Sequence, residues 1–299
     1  MLNVLIACEE SQRVCIEFRK LGFNAFSCDI LKCSGGHPEW HINNDVENVL
    51  NGNCYFITQD QVAHMIEGEW DLIIAHPPCT YLTVSGNRWF NEARYGERAV
   101  KRKIDREEAI EFFLKFINAK CKHVAIENPV GIMSTKYRKP DQIIEPYYFG
   151  DPERKSTCLW LKNLPILIPT KIVYPNIIKY KNGTGSSSNW HMKTINLPAE
   201  ERRKERSKTF PGIAKAMASQ WGAYLMIDEI ADIVYSGYGG DKMNYTDYLT
   251  LLRKGADIAI KVLCENNICD MEKLVTWDKS IKYIINCKIE ELLKEVGIK

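Results

Sequence analysis

The sequence predicts an α/β protein built on a doubly wound, mainly parallel sheet, and three observations carry that prediction. Short apolar runs of strand length alternate with helical segments through the first half of the chain. Several of these runs are apolar over most of their length, as suits strands covered by helices on both faces. Polar, chemistry-bearing residues follow directly on them, at the edge where open α/β sheets bind ligands.

The elements follow in order. Residues 2–7 form a first buried strand. Ser11 is placed to cap a helix with Val14, Phe18 and Leu21 on one face, and Gly22 stops it. Residues 24–29 read as the second strand and 70–75 as another, ending at His76-Pro77-Pro78. Residues 104–119 form an amphipathic helix with Ala109, Phe112, Phe113, Phe116 and Ile117 inward. Residues 123–127 make a strand that Asn128-Pro129 breaks, and 157–161 one more, antiparallel at the edge. Residues 182–189 are loop-like, 199–208 a charged helix, and Pro211-Gly212 opens a helix over 213–225. Helices are expected over 226–299, most clearly 245–264. The chain thus divides into an α/β unit (1–161), a small, irregular, basic region (162–209), a returning helix (210–225) and a C-terminal helical appendage (226–299).

The totals fit a globular protein. Of 299 residues, 45% are hydrophobic and 26% charged, and no stretch has the apolar length needed to span a bilayer. The first residues run straight into a strand without a basic lead, so no signal peptide is read and a cytoplasmic protein is expected. The 11 cysteines are scattered and odd in number, which favours reduced thiols over disulfides. Net charge is +2, but residues 134–208 hold 15 Lys/Arg against 7 Asp/Glu, while 223–299 hold 10 against 13. A basic middle fits either a polyanion-facing surface or a solvated face.

Two residues stand out at the sheet edge. Cys79 follows two prolines that fix the backbone, and Glu127 ends the next strand. Singly, each has an ordinary explanation: a structural cysteine, an acid capping a loop. Together, on neighbouring parallel strands, they supply a nucleophile and a carboxyl group for one pocket.

These residues carry a resemblance. Ala75-His-Pro-Pro-Cys-Thr-Tyr-Leu-Thr-Val-Ser-Gly86 resembles the Pro-Pro-Cys loop of the DNA cytosine-5 methyltransferase family, and Ala125-Ile-Glu-Asn-Pro-Val130 its Glu-Asn-Val segment. Asn44-Asp45-Val46 resembles the segment that holds the cofactor's adenine, and Asp29 stands where the family has an acid near the ribose. The likeness spans about residues 2–224 in the family's order and is close to short phage- and prophage-type members. It implies a Rossmann-like methyltransferase sheet, S-adenosyl-L-methionine as cofactor, DNA as partner, and a setting in a bacterial cell or a phage-infected host. It implies Cys79 as the nucleophile that adds to cytosine carbon 6, and Glu127 as the acid that meets charge at N3. Cys8, Glu9, Glu10, Ser11, Asp29, Ile30, Asp45, Val46 and Pro77 are the implied cofactor-binding residues.

The sequence departs from the family at three places. The family's glycine-rich first loop is here Ala7-Cys-Glu-Glu-Ser-Gln12, without glycine. Pro-Pro-Cys-Gln becomes Pro-Pro-Cys-Thr80. Gln-x-Arg-x-Arg becomes Glu153-Arg154-Lys155-Ser156-Thr157, and Arg154 is expected to supply the lost catalytic charge.

Ser85, Arg88, Lys136, Arg138 and Lys155 are expected to contact DNA, against the alternative of solvated loops. His76 could touch the base or pack in the loop. Trp89 and Trp190 could stack on bases, whereas Trp160 reads as core. Cys28, Cys33, His37 and His41 have metal-ligand chemistry but irregular spacing, so a cofactor-side loop is preferred and no metal is expected. Two further readings stay open: the same fold acting on RNA, a nucleotide or a different donor, and a DNA-binding homologue without activity.

Overall fold

The structure is a computed structural model describing residues 1–180, 183, 185–226 and 228. The helices expected over 226–299 therefore lie almost wholly outside the described residues. In chain order the elements are β1 (Asn3–Ala7), α1 (Arg13–Lys20), β2 (Asn24–Asp29), β3 (His41–Asn43), β4 (Cys54–Ile57), β5 (Ala63–Ile66), β6 (Trp70–Ala75), α2 (Glu92–Tyr95), α3 (Glu97–Ile117), β7 (Cys121–Pro129), α4 (Met133–Lys136) and β8 (Gln142–Ile144). They continue with β9 (Thr157–Lys162), β10 (Ile177–Lys179), β11 (Ser186–Ser188), α5 (Asn189–Ile195), α6 (Ala199–Ser207) and α7 (Pro211–Ala216).

Seven strands form the central sheet in the order β3-β2-β1-β6-β7-β9-β8. The pairs from β3 through β7 are parallel, and β9 pairs antiparallel with both β7 and β8. The expected antiparallel strand is thus present, but β8, too short to announce itself, takes the edge. The sheet is α/β and mostly parallel, as the alternating pattern predicts. The strand order reverses at β1, whose neighbours are β2 and β6, and ligands bind at such a switch point.

Each face of the sheet has its own apolar layer. Leu5, Phe26, Ile73 and Val124 pack toward Ile110, Phe113 and Phe116 of α3. Val4, Ile6, Leu72 and Ile74 pack toward Val14 and Phe18 of α1 and toward Ile213, Met217 and Trp221. The period-two side-chain alternation of a strand sends neighbouring apolar residues to opposite layers, which is why these strands read as unbroken apolar runs. Trp160 is fully buried, as expected.

Three boundaries differ from expectation. Helix α3 begins at Glu97, well before residue 104, because its first turns are charged and exposed and show little apolar periodicity. Strand β7 runs through Asn128 to Pro129, since β9 pairs with it to Pro129↔Thr157. Residues 186–188, expected in a loop, pair with β10, and Ser188 caps α5 through the His191 amide, 3.3 Å away. After α7 the helix passes through a π turn over Met217–Trp221.

Candidate active site

The site follows from strand register. Ala7 pairs with Cys28 on one side and Ala75 on the other, and Ala75 pairs with Ile126. The next residue of each strand therefore falls in one row at the carboxyl edge: Asp29, Cys8, His76 and Glu127.

The loop after β1 lacks glycine yet keeps a glycine-like path. Cys8 and Gln12 have φ of 59° and 57°, a left-handed conformation that costs a side-chain-bearing residue about 1 kcal/mol. Gln12 is fully buried and tied down: its amide nitrogen donates to the Ser27 hydroxyl (3.2 Å) and the His37 carbonyl (2.8 Å). A glycine is needed instead at Gly35, where a Cβ would stand 2.6 Å from Gln12 Cβ and 2.7 Å from the Ser11 carbonyl.

Ser11 does not cap α1. Gln12 occupies the N-cap position without a side-chain bond, and the Glu9 carboxylate accepts from the amides of Val14 (2.8 Å) and Cys15 (3.2 Å). A two-oxygen acceptor three residues earlier in the chain reaches amides that a short serine does not. Burial raises the Glu9 pKa to about 7, opposed by the His76 charge and the two amide bonds. Its folded pKa thus lies above its ordinary 4.5, so its contribution to stability is complete below about pH 4.5 and is lost as pH rises through 7. Urea unfolding across pH 4–8 is expected to show wild type losing stability relative to Glu9→Gln, by up to about 3 kcal/mol. A pH-independent difference would contradict this.

Glu10 points to a different role. It is 6% exposed, and neither carboxylate oxygen has a hydrogen-bond partner among the described residues. Its charge acts on Asp29 and His41. Asp29, raised by burial, accepts the Leu31 amide at 2.8 Å. Asp29 and Asp45 in turn act on Cys8, whose thiol is pushed up first by burial and then by these charges. The crevice beside β1 and β2 is therefore acidic. Asp45 accepts the Glu47 amide (3.0 Å), Val46 is buried and Ile30 is 76% exposed at the rim. Beside it, Asn43, Asn44, Tyr55 and Gln59 help line a cleft of about 540 Å³.

The second half of the row holds the reactive groups. Glu127 is buried, with His76 Nδ1 2.7 Å from its Oε2 and the Thr209 hydroxyl 3.4 Å from the same oxygen. Burial alone would raise the Glu127 carboxyl. The His76 hydrogen bond and the Lys155 charge outweigh it and hold the pKa at about 2. Asn128 Nδ2 donates to the buried Pro77 carbonyl (2.8 Å), fastening the Pro77-Pro78-Cys79 segment to β7. Cys79 is exposed at the mouth, and its carbonyl accepts the amides of Leu82 (3.0 Å) and Thr83 (3.1 Å) in a tight turn. Its thiol is raised first by burial, lowered by Lys155 and raised by Glu127. Gly131 crosses directly over this turn; a Cβ there would meet the Leu82 carbonyl at 2.2 Å.

Placement sorts the remaining expectations. Lys155, expected on the DNA-facing surface, lies in the pocket. Its ammonium donates to the carbonyls of Arg206 (3.1 Å) and Lys208 (3.4 Å), and its charge acts on Cys79, Glu127 and His76. Arg154, expected beside the nucleophile, is exposed, and its charge falls on Tyr147. Arg138, expected at DNA, is committed within the chain to Asp141 (2.7 Å) and the Leu161 carbonyl (3.0 Å). Ser85, Arg88 and Lys136 are exposed, Arg88 over the Trp89 ring and Lys136 3.5 Å from Glu107. His37 stacks on Trp40, and both ring nitrogens of His41 are taken, by Ser27 and the Leu31 carbonyl. No group of three or more potential metal ligands is assembled among the described residues, and no described helix is long and apolar enough to cross a membrane.

Residues that the sequence did not single out hold the Cys79 loop. Arg102 donates to the Thr80 carbonyl (2.7 Å), and Arg106 to the Tyr81 carbonyl (2.9 Å) and Asn87 (2.7 Å). Their i, i+4 spacing on α3 places both on one face, the one legible sign of the pair. No protein-family model matches the chain, and no curated protein matches it.

Proposed function

We propose that this protein is an S-adenosylmethionine-dependent DNA methyltransferase that forms 5-methylcytosine, with Cys79 as nucleophile and Glu127 as its acid partner. The observation that carries the reading is that Glu127 and Lys155 act on the Cys79 thiol from one mouth, next to an acidic crevice at the switch point of the sheet.

The residues fit the cofactor. When bound, it supplies an electrophilic methyl group on a positively charged sulfonium. Glu10, buried with two unsatisfied oxygens, suits an ammonium group. Asp29 suits a ribose diol at the end of the second strand. Ile30 and Asp45-Val46, at the rim of the acidic crevice, suit an adenine ring, with Pro77 next to His76 beside it. A dinucleotide fits poorly. Glu9 already occupies the α1 amides that would bind pyrophosphate, and the neighbouring carboxylates repel it.

The chain's own groups account for the chemistry on the base. The target cytosine leaves the duplex, since its ring must be reached from both faces. The Cys79 thiolate adds to C6, the ring's electron pair moves to N3, and Glu127 delivers a proton there. Lys155 draws the thiol toward its anion, while the Glu127 carboxylate opposes it. A base that engages Glu127 removes that opposition, so the nucleophile is activated with substrate in place. Residues 162–209 close on the pocket through Lys155 and Thr209 and present exposed Ile172 and Tyr174, the latter 96% exposed, as a target-recognition surface. Ser85, Arg88 and Lys136 lie on exposed faces that suit phosphate contacts.

DNA carrying 5-fluorocytosine, incubated with protein and S-adenosylmethionine, is expected to give a covalent complex that survives denaturing electrophoresis, because fluorine cannot leave as a proton does. An adduct on RNA but not DNA moves the substrate to RNA. DNA binding with no adduct and no cofactor heat in calorimetry overturns the enzymatic reading.

A further inference from the structure

We propose that His76 is a positioning residue and the proton reservoir for Glu127, handing it the proton that cytosine N3 receives. The inference rests on the reading of Cys79 and Glu127 just given.

The geometry is specific. His76 follows β6, and its backbone amide donates to the Ala7 carbonyl at 2.9 Å. Pro77 follows it, held by Asn128 at 2.8 Å, so the ring is carried on fixed backbone at both sides. Nδ1 stands 2.7 Å from Glu127 Oε2, and both side chains are about nine-tenths buried. Nε2 is also buried and has no hydrogen-bond partner among the described residues. The ring faces the carboxylate of Glu127 on β7 and that of Glu9 in the loop after β1.

Charge explains why a reservoir is needed. The His76 hydrogen bond and the Lys155 charge hold the Glu127 carboxyl well below its ordinary range, so it stands ionised at neutral pH and must be given the proton that it passes to N3. His76 can give it. Burial disfavours its imidazolium, but the Glu127 hydrogen bond and the charges of Glu127 and Glu9 prevail over burial and over Lys155, and its pKa lies above the ordinary 6.5. The groups facing it are Glu127 on β7, Glu9 after β1 and Lys155 before β9, with Thr209 sharing Glu127 Oε2.

The step balances. As the S–C6 bond forms, the C5=C6 pair shifts through C4 and the C4=N3 pair comes to rest on N3. Glu127 gives N3 a proton and takes one from His76 Nδ1, leaving neutral imidazole. After transfer a base takes the C5 proton, the C5–H pair re-forms C5=C6, the C6–S pair leaves on the Cys79 sulfur, and N3 gives its proton back through Glu127 to His76.

His76→Asn tests this, because the asparagine amide can replace Nδ1–H as a donor to Glu127 but cannot ionise. Wild-type turnover is expected to fall as pH rises through the His76 pKa. The variant is expected to lose that alkaline limb and to turn over about 10²-fold more slowly, with KM for DNA and cofactor affinity changed less than about threefold. Thermal melting verifies the fold, and His76→Gln serves as a second, longer amide. In a Glu127→Gln background, His76→Asn is expected to add no further loss; a full additional loss would show that His76 acts elsewhere and overturn the proposal. Failure of the two ideas is separable. If wild type traps no 5-fluorocytosine adduct, the methyltransferase reading has failed. If both proteins trap it at the same rate with the same alkaline limb, the reading stands and the role of His76 is overturned.

Discussion

Cys79→Ala is expected to abolish methyl transfer, with a loss of at least about 10⁴-fold in kcat, and to abolish the 5-fluorocytosine adduct altogether. Cytosine C5 is a weak nucleophile until C6 carries an added group, so no neighbouring side chain can replace the sulfur by binding the base more tightly. The remainder of the protein should not notice. Cys79 is exposed at the pocket mouth, and its backbone carbonyl, not its side chain, organises the turn to Leu82 and Thr83. Thermal stability should therefore stay within about 0.5 kcal/mol of wild type. On the proposed reading DNA is held by basic and exposed groups outside the thiol, so DNA affinity should also survive. Gel-shift affinity, a tritiated-methyl transfer assay and adduct trapping read the three quantities separately. Residual transfer near the wild-type rate would remove Cys79 from the mechanism.

What the sequence made legible here followed from periodicity and register. Strands β2 and β6 stand at the residues read from their apolar runs, and parallel pairing then put Asp29, Cys8, His76 and Glu127 in one row. Local sequence did not reveal contacts made across that row. His76 and Glu127 are 51 residues apart, and nothing near either one announces a 2.7 Å bond. Arg154 and Lys155 could not be separated, because which of two adjacent cations turns inward depends on backbone direction. Ser11 looked like a helix cap because of its residue type. Glu9, longer and buried, won the α1 amides through side-chain reach, which composition does not encode. Arg138 is expected at DNA from a local run of charge, and nothing in that run announces its bonds to Asp141 and the Leu161 carbonyl.

The absent glycines show a further way a familiar pattern hides. A loop that needs left-handed backbone can be built from Cys8 and Gln12 if burial and hydrogen bonds elsewhere hold the strain. Here Gln12 reaches His37, and Gly35 lets that segment lie against the loop. A residue without a side chain is thus needed at Gly35, more than twenty positions after the loop in sequence yet against it in space. The acidic character of the crevice comes from Glu10, Asp29 and Asp45.

Glu127→Gln is expected to reduce kcat by about 10³-fold while leaving DNA affinity nearly unchanged. The amide keeps the size of the carboxyl and can still bond the base, but it cannot pass a proton to N3. Stability separates this chemical role from a scaffolding one. The folded Glu127 pKa, about 2, lies below the ordinary 4.5, so the carboxylate contributes stability above about pH 4.5 that is lost as pH falls toward 2. The variant should accordingly be less stable than wild type at pH 6 by at most about 3 kcal/mol, and the gap should close under acid. Activity should not recover as that gap closes, because the missing group is a proton carrier at every pH. Parallel urea unfolding and transfer assays between pH 3 and 8 follow both quantities. If activity instead tracked the stability difference, Glu127 would be holding the pocket together and the N3 proton would have to come from another group.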